Sequence, residues 1–388
     1  MKVLVASHSY IVDLNCEKLR TLAHMGHDVT VVVPKRWNPG GVQNRIVEPQ
    51  PRQEDSFRVV PIANLSQNNQ GLLSFGWGLI ELLKTFKPDI IQVEQGSKSL
   101  GYAELITLNR LLGNKAKNLF FTWWNLPYEV KFPLSWLEAY NLRHTDGLVV
   151  GNQDGANILK DHGYQGPVRV MPQLGVDETL FCPKEQPQLR QQLDISDDRF
   201  VVGFVGRFVP EKGLVTLLKA LATLTNLPWT LVLLGRGPLK QDLQNQAQTL
   251  GIAQRIRWIE SVPHDAVPDY INLMDSLVLP SETTYEFKTL TSVGWKEQFG
   301  HVLIEAMACQ VPVIGSDSGE IPYVIDDSGL VFPEGDHQAL ADRLSQLIQQ
   351  PDIHQTLAKK GYARALQRYT NKALATELLA FYQELLAA

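Results

Sequence analysis

The chain has little of what would assign it to several large classes of protein. Its three cysteines, Cys16, Cys182 and Cys309, fit neither a disulfide framework nor a metal site, which is typical of a reducing compartment. No apolar run approaches the roughly 18 residues that span a bilayer, and the first residues read as a strand rather than a leader. A net charge of -5 leaves no basic surface for nucleic acid. We therefore expect a cytoplasmic protein without a nucleic-acid partner.

The glycine fingerprint of dinucleotide-binding enzymes is also incomplete. No Gly-x-Gly-x-x-Gly follows the first strand, at residues 2 to 6, and the segment that starts at Gly235 supplies only the first two glycines. In that class of enzyme the glycines allow the close approach of a pyrophosphate. The sequence therefore argues against a dehydrogenase.

The chain does contain a regular alternation of apolar strands and amphipathic helices, which predicts parallel sheets. Its 388 residues exceed the size at which a single core keeps growing, so we expect two domains. The predicted fold class is α/β, with two Rossmann-like doubly wound domains at residues 1 to 180 and 181 to 371. A final helix, residues 372 to 388, is expected to pack back on the first domain.

Two acidic residues, Glu297 and Glu305, lie on either side of Gly300, where an apolar run that predicts a helix begins. Gly300 allows a sharp turn into that helix, so the free amides of its first turn, with the helix dipole, would point at an anion. A carboxylate one turn inside such a helix is suited to accepting both hydroxyl hydrogens of a ribose, and one just before it is suited to reaching a sugar. The alternative is an ordinary helix with Glu305 on its solvated face.

A second charged segment lies upstream, where an apolar strand ends in Gly206 and leads directly into Arg207 and Lys212. Open α/β sheets bind ligands at such strand tips. A guanidinium forks onto phosphate oxygens and an ammonium adds a point charge, so the two cations suit a departing diphosphate. The alternative is a basic surface loop.

Taken together, these segments resemble the retaining glycosyltransferases of family 4, which have the glycosyltransferase-B fold. The similarity covers most of the C-terminal half, and its specificity comes from the joint order and spacing of several short motifs. The motifs are Gly203-Phe-Val-Gly-Arg207 with Lys212-Gly213, Leu234-Gly-Arg-Gly-Pro238, Val278-Leu-Pro-Ser281, Glu297 to Glu305 with the Ala-Met-Ala-Cys that follows, Ser318-Gly-Glu-Ile-Pro322, and residues 329 to 336.

The resemblance implies two domains facing across a cleft, with the acceptor site in the first and the donor site in the second. Arg207 and Lys212 correspond to the diphosphate-binding pair of the family, Glu305 to its ribose-binding acid and Glu297 to the acid that contacts the donor sugar. By the same resemblance, Arg207, Lys212 and Glu297 would also act in catalysis. The implied donor-binding residues are Gly206, Arg207, Lys212, Gly235, Glu260, Glu297, Phe299, Gly300, His301, Val302 and Glu305.

No Asp-x-Asp motif occurs, so the metal-bridged diphosphate site of the other large glycosyltransferase fold has no ligands here. We therefore expect no metal and no cofactor, with the nucleoside-diphosphate sugar as a co-substrate. Charge on the leaving group would be neutralised by Arg207, Lys212 and the helix that starts at His301.

The resemblance is weaker in the N-terminal half. Residues 7 to 15 replace the Gly-Gly turn of the family, and Trp123-Trp124-Asn125 stands where many members have a histidine. Asn125 is suited to binding a sugar hydroxyl, and an adjacent indole to stacking on a pyranose. His8 and Glu94 are candidates for a base, each with the alternative of being satisfied locally. The segment from 282 to 296 is longer than usual and is either a lid that shapes the acceptor site or a solvated insertion.

The predicted function is that of a retaining, metal-independent glycosyltransferase that uses a carbohydrate or lipid-linked acceptor in polysaccharide or glycolipid biosynthesis. A helical stripe at residues 72 to 86 leaves open a weak peripheral association with the inner membrane face, although its spacing is more simply that of a core face. A nucleotide-sugar epimerase and a non-catalytic protein that binds a sugar or nucleotide are the alternatives.

Overall fold

The computed structural model describes residues 1–39, 45–288 and 293–388. By its contacts the chain divides into two compact units, and each is described here by itself. Unit 1 comprises Met1–Gly175 and Asn371–Ala388, and unit 2 comprises Val176–Thr370. The limits expected from the sequence, at residues 180 and 371, lie slightly further along the chain.

Unit 1 is built on one sheet. Its strands are β1 (Lys2–Ala6), β2 (Asp28–Pro34), β3 (Arg52–Glu54), β4 (Phe57–Ile62), β5 (Ile90–Val93), β6 (Lys117–Thr122), β7 (Gly147–Val150) and β8 (Val168–Val170). They pair in the order β3-β4-β2-β1-β5-β6-β7-β8, and only the β3–β4 pair is antiparallel among the described residues. Because β2 and β5 flank β1, the topological switch point of this doubly wound sheet lies between β1 and β5.

Helices cover both faces of this sheet, because alternate side chains of its strands enter two separate cores. Val3 and Val5 contribute to the core under α1 and the last helix, whereas Leu4 and Ala6 contribute to the other core. The helix predicted at residues 72 to 86 begins only at Trp77, after Gly76 at φ +72°. The helices are α1 (Glu17–His24), α2 (Trp77–Phe86), α3 (Leu100–Leu111), α4 (Leu134–Arg143), α5 (Gln153–Asp161) and the last helix (Asn371–Ala387).

Unit 2 has a second parallel sheet. Its strands are β9 (Phe200–Val205), β10 (Trp229–Leu234), β11 (Ile256–Ile259), β12 (Ser276–Leu279), β15 (Val313–Ser316) and β16 (Leu330–Phe332), while β13 (Thr284–Lys288) and β14 (Val293–Trp295) form a separate antiparallel hairpin. The order β11-β10-β9-β12-β15-β16 places the switch point between β9 and β12. The hairpin lies in the long segment noted in the sequence, of which residues 289–292 are outside the described residues.

The sequence prediction of two Rossmann-like domains with parallel sheets is confirmed. No helix in the described part of the chain is long and apolar enough to cross a membrane. The remaining helices are α6 (Pro187–Gln192), α7 (Leu214–Thr223), α8 (Lys240–Thr249), α9 (Val267–Asn272), α10 (His301–Ala308), α11 (Ile321–Ile325), α12 (His337–Gln349) and α13 (Pro351–Arg368), and the last helix is α14.

Candidate functional site

The carboxyl ends of β9 and β12, at the switch point of unit 2, are in close contact. After β9 the chain makes a short 3₁₀ turn, Pro210–Lys212, and Gly213 then leads into α7. Gly213 has φ +63°, and a Cβ atom there would lie 1.8 Å from the carbonyl oxygen of Pro280, just past β12. Only glycine allows the two loops to approach this closely. The loop that carries Lys212 is therefore fixed against the tip of β12.

Lys212 and Glu297 form an ion pair at this point. The Nζ atom of Lys212 lies 2.5 Å from Oε2 of Glu297, and Oγ of Ser281 donates to the same oxygen at 2.7 Å. Both charged side chains are largely buried, at 15% and 9% exposure. The indole of Trp295 completes the arrangement, with its ring centroid 5.0 Å from Nζ of Lys212, within the range of a cation–π contact. The structure thus brings two of the predicted residues together.

Arg207 has different surroundings from Lys212. Its side chain is 68% exposed, and its Nη2 lies 3.6 Å from Oε1 of the buried Glu211. The backbone carbonyl of Glu211 accepts a hydrogen bond from the amide of Glu282 at 2.9 Å, which again joins the tips of β9 and β12. Arg207 is therefore held at one end and leaves most of its guanidinium accessible to an anion.

The start of α10 lies beside these loops. Gly300 has φ +83°, and a Cβ atom there would lie 2.7 Å from Cδ2 of Leu279, at the end of β12. The N-cap residue is Gly300, which has no side chain to cap the helix, and amides of an uncapped first turn, here those of His301 and Val302, are suited to binding an anion. The side chain of Phe299 is buried, with its ring centroid 5.7 Å from that of Tyr369. The ring of Phe299 thus belongs to the core of unit 2.

Two titratable residues of α10 have displaced pKa values. Burial raises the pKa of Glu305 to about 7. Burial, together with the charge of His264, lowers the pKa of His301 to about 4, so its imidazole is neutral at pH 7. The carboxylate of Glu305 has no hydrogen-bond or ion-pair partner within the described part of the chain. It is therefore open to the hydroxyl groups of a ligand.

The three other predicted donor-site residues follow strands along the same sheet edge. Gly206 follows β9 and donates its amide to Leu234, while Gly235 follows β10 and donates to Ile259, at 3.0 and 2.8 Å. Glu260 follows the edge strand β11 and is exposed, with Oε1 3.6 Å from Nζ of Lys240. Glu260 is thus separated by two strands from the pair at the switch point.

The candidates in unit 1 also follow strand ends, but their contacts are internal. Glu94, after β5, is buried and accepts hydrogen bonds from Tyr10, Gln92 and Gln173, at 2.9, 2.9 and 2.6 Å. The ammonium of Lys18 is buried beside this group and donates to the backbone carbonyl of Gln173. Burial lowers the pKa of Lys18, and the charge of Glu94 opposes that effect. Glu94 is thus satisfied locally, as in the alternative that the sequence left open, and its role as a base stays a prediction.

His8 and Asn125 lie nearby in the same unit. His8 is half-buried, with its ring centroid 4.8 Å from that of Trp37, and burial lowers its pKa to about 4. Asn125 is buried just after β6. The indole of Trp123 donates to Oε1 of Gln173 at 3.0 Å, so its polar edge is occupied within the protein. The sequence-based expectation of a sugar-binding role here stays a prediction.

Sequence reasoning did not identify Trp295 as a site residue, and it treated Ser281 only as part of a motif. The available signal for Trp295 was an aromatic residue two positions before Glu297, which places both side chains on the same side of an extended segment. Among the described residues no group of three or more His, Cys, Asp or Glu is placed to hold a metal ion.

The sequence matches two known family models and several curated relatives. A model described as glycosyl transferases group 1 matches residues 185–364, and one described as glycosyl transferase 4-like domain matches residues 16–173. The D-inositol 3-phosphate glycosyltransferase of Saccharomonospora viridis is 31% identical over 230 residues, 55% of this chain and 49% of that protein. The N-acetyl-alpha-D-glucosaminyl L-malate synthase of Bacillus anthracis is 26% identical over 214 residues, 54% of this chain and 52% of that protein. The chain spans about half the length of the curated relatives it matches.

Solved structures match over nearly the whole chain. Sucrose-phosphate synthase from Thermosynechococcus elongatus has a TM-score of 0.71 and 20% identity, covering 100% of this chain and 99% of that one. HepE from Anabaena, in complex with UDP, has a TM-score of 0.72 and 18% identity, covering 99% of each chain. At these identities the likeness shows the fold alone, which is the glycosyltransferase-B fold.

Proposed function

The chain belongs to the glycosyl transferases of group 1, and on that premise we propose that it transfers a sugar from a nucleoside diphosphate to a carbohydrate or lipid-linked acceptor. The observation that carries the proposal is the meeting of Lys212 and Glu297 at the switch point of unit 2, 2.5 Å apart, beside the uncapped start of α10. A cation, an acid and free amides at one sheet edge match a diphosphate and its attached sugar.

Each part of the donor has a counterpart in this proposal. Arg207 and Lys212 bind the diphosphate with the first-turn amides of α10, and Glu305 accepts the ribose hydroxyl hydrogens. Its lack of a partner among the described residues and its position inside α10 support that role. Because two cations and a helix start offset the charge of the leaving group, the proposed transfer does not require a divalent cation.

We propose that transfer retains the configuration at the anomeric carbon. Oε2 of Glu297 already receives Lys212 and Ser281, which suits a carboxylate that orients the sugar more than one that attacks it. The leaving phosphate then takes the proton of the acceptor hydroxyl, so that the protein mainly positions the reactants. The structure of HepE holds UDP, and another of the same protein holds UDP-glucose, which makes uridine nucleotides the first donors to test.

A lipid-linked acceptor would suit unit 1, where α4 and the segment just before it expose an aromatic row. Phe132 and Trp136 are 83% and 67% exposed, and Trp136 stacks on Tyr140 with ring centroids 6.1 Å apart. Lys131 and Arg143 are exposed on the same stretch. Aromatic and cationic side chains together favour the headgroup region of an anionic membrane, so we propose a weak peripheral association through this row.

The first test combines binding and turnover. Thermal unfolding is measured with UDP, GDP and ADP, since a ligand at a hundredfold its Kd adds about 2.7 kcal/mol to the free energy of unfolding. The nucleotide that stabilises is then supplied as its sugar conjugate, with and without EDTA, and release of the nucleoside diphosphate is followed. We expect slow hydrolysis that EDTA does not stop, and a product of unchanged anomeric configuration by NMR once an acceptor is found.

Each alternative has its own signature in that test. An epimerase would return an isomerised nucleotide sugar without any acceptor, and a binding protein would be stabilised without turnover. Stabilisation by none of the three nucleotides would refute the donor site itself.

A further inference from the structure

The aromatic residue at the donor site belongs to the hairpin β13–β14 rather than to the sheet. Trp295 pairs with Thr284 across the hairpin, next to its anchored base. The amide and hydroxyl of Thr283 both donate to Oε2 of Glu334, at 2.8 and 2.9 Å. The hydroxyl of Thr283 also lies 3.3 Å from that of Ser318. The base of the hairpin, and with it Trp295, is thus tied to the loops after β15 and β16.

The Lys212 ammonium contacts both this ring and the carboxylate of Glu297. Its Nζ is 2.5 Å from Oε2 of Glu297 and 5.0 Å from the ring centroid of Trp295. A lysine side chain has four rotatable bonds and a strongly hydrated head, so a single ion pair orients it poorly. A ring within cation–π distance excludes water from part of the ammonium and favours one position of it, which strengthens the electrostatic contacts of that group.

We propose that Trp295 is a positioning residue that holds the Lys212 ammonium for the diphosphate of the donor, which rests on the proposed function. In this role the ring contacts neither the nucleoside nor the phosphate group that is attached directly to the nucleoside. The long segment between β12 and α10 then serves the donor site, because it carries the aromatic wall of the lysine. The exposed aromatic residues of β13, Tyr285 and Phe287, have no part in this contact.

The test compares nucleotides that differ by one phosphate. Binding of UDP and of UMP is measured by calorimetry for the wild type, Trp295→Leu and Trp295→Phe. We expect Trp295→Leu to weaken UDP binding by about three- to tenfold, the range of a cation–π contact, with UMP binding unchanged. Trp295→Phe keeps an aromatic face and should recover most of the loss. Tyr285→Leu is the matched control, because it removes an exposed aromatic side chain, 69% accessible, from the same hairpin.

A double-mutant cycle with Lys212→Met separates positioning from general support of the fold. If Trp295 acts through Lys212, adding Trp295→Leu to Lys212→Met changes UDP binding no further. Additive losses, an equal loss for UMP, or unchanged UDP binding in Trp295→Leu would each overturn the proposal. A loss confined to UDP-glucose would mean that the ring stacks on the sugar instead, which also overturns it.

A measurement without nucleotide keeps this inference distinct from the proposed function. The rate at which an amine-reactive ester labels Lys212 is followed by peptide mass spectrometry, with the exposed Lys219 as the internal reference. The ester should label Lys212 several-fold faster in Trp295→Leu than in the wild type. In Tyr285→Leu the labelling rate of Lys212 should equal that of the wild type. Absence of nucleotide binding by the wild type would refute the proposed function. Independently of that result, an unchanged labelling rate of Lys212 in Trp295→Leu would refute the positioning role.

Discussion

Unit 1 and unit 2 share one architecture but use their polar residues differently. In both, acidic and basic side chains follow strands at the switch point of a doubly wound sheet. In unit 1, Glu94 is satisfied by Tyr10, Gln92 and Gln173. In unit 2, Arg207 is mostly exposed and the carboxylate of Glu305 has no partner among the described residues. The same fold position thus supports internal structure in one unit and an open site in the other.

This difference shows that a charged residue at a strand tip is not evidence of function until its contacts are counted. A buried acid with three donors has little capacity left for a substrate, because a carboxylate has about four acceptor positions and three of them are filled. An acid whose pKa is raised to about 7 by burial, as in Glu305, gains most from a ligand that donates hydrogen bonds to it.

The largest expected effect tests the open site. Lys212→Met should lower sugar transfer by about 10²- to 10³-fold, because a preorganised cation at the leaving group is lost. Glu297 keeps its hydrogen bond from Ser281, so the protein should still fold. Initial rates with the stabilising nucleotide sugar, and thermal unfolding of both proteins, provide the measurement.

Lys219→Met is the control for this change, since Lys219 is an exposed lysine of α7. It should keep the rate of the wild type. If Lys212→Met also transferred sugar at nearly that rate, the contrast between the two units would have no functional meaning.

The second prediction concerns the closed network of unit 1. Glu94→Gln keeps the shape of the side chain but replaces a charged acceptor with a neutral one. Its amide NH₂ group would also face side chains that donate hydrogen bonds to Glu94 in the wild type. We expect the free energy of unfolding to fall by about 2 kcal/mol, the scale of hydrogen bonds to a charged group. Denaturant unfolding measures that loss, and transfer assayed well below the unfolding transition should remain within a few-fold of the wild type. A stable variant without activity would instead identify Glu94 as a base.

Much of the fold follows from local pattern. Most strands of both sheets are apolar runs, as in β10, where every residue is buried, and such runs indicate parallel sheets. The strands β3, β4 and β8 were not predicted. Polar residues make up β3, and charged residues or proline interrupt the short apolar runs of β4 and β8. The hairpin β13–β14 was open to interpretation for another reason. Residues Thr284–Lys288 alternate between polar and aromatic side chains, but almost all of them are exposed and the hairpin joins neither large sheet, so no buried face marks it in the sequence.

The candidate site was partly predictable for a chemical reason. A diphosphate needs cations and free amides whatever the sugar, so Arg207, Lys212 and Gly300 could be named from spacing alone. The contact between Trp295 and Lys212 joins a hairpin to a distant loop, and only three-dimensional structure reveals it. The internal role of Glu94 depends on Gln173, far along the chain, and was equally invisible in the sequence.

The third prediction uses the raised pKa of Glu305, about 7 against an ordinary 4.5. The folded state therefore holds this proton more tightly than the unfolded chain, and the associated stability is lost as the pH rises from 4.5 through 7. A ribose that donates to the carboxylate favours its ionised form. Affinity for UDP should thus rise by about tenfold from pH 6 to pH 8, as the ionised fraction grows.

Glu305→Gln provides the reference for that measurement, since its side chain does not titrate. Titrations of UDP itself are common to both proteins and cancel in the comparison. We expect UDP affinity to depend more strongly on pH in the wild type than in Glu305→Gln. If the two proteins gave parallel curves of affinity against pH, Glu305 would be excluded from the nucleotide site.

The smallest expected effect concerns the surface of unit 1. A membrane would contact this surface and not the strand ends that carry Glu94. Trp136 lies on α4 about two turns before Arg143 and is 67% exposed, whereas Trp77, which is 86% exposed, opens α2 on the stripe that the sequence had suggested. Trp136→Ala should weaken binding to vesicles containing anionic phospholipid by roughly fivefold, for about 1 kcal/mol of interfacial burial, and Trp77→Ala should not. Co-sedimentation with anionic and with zwitterionic vesicles measures both. Because the cationic neighbours act through surface charge, the loss should shrink in zwitterionic vesicles and in high salt.

Equal losses for the two tryptophans would mean that exposed indoles bind lipid without regard to their place in the fold. Absence of vesicle binding by the wild type would remove the membrane from the proposed function altogether.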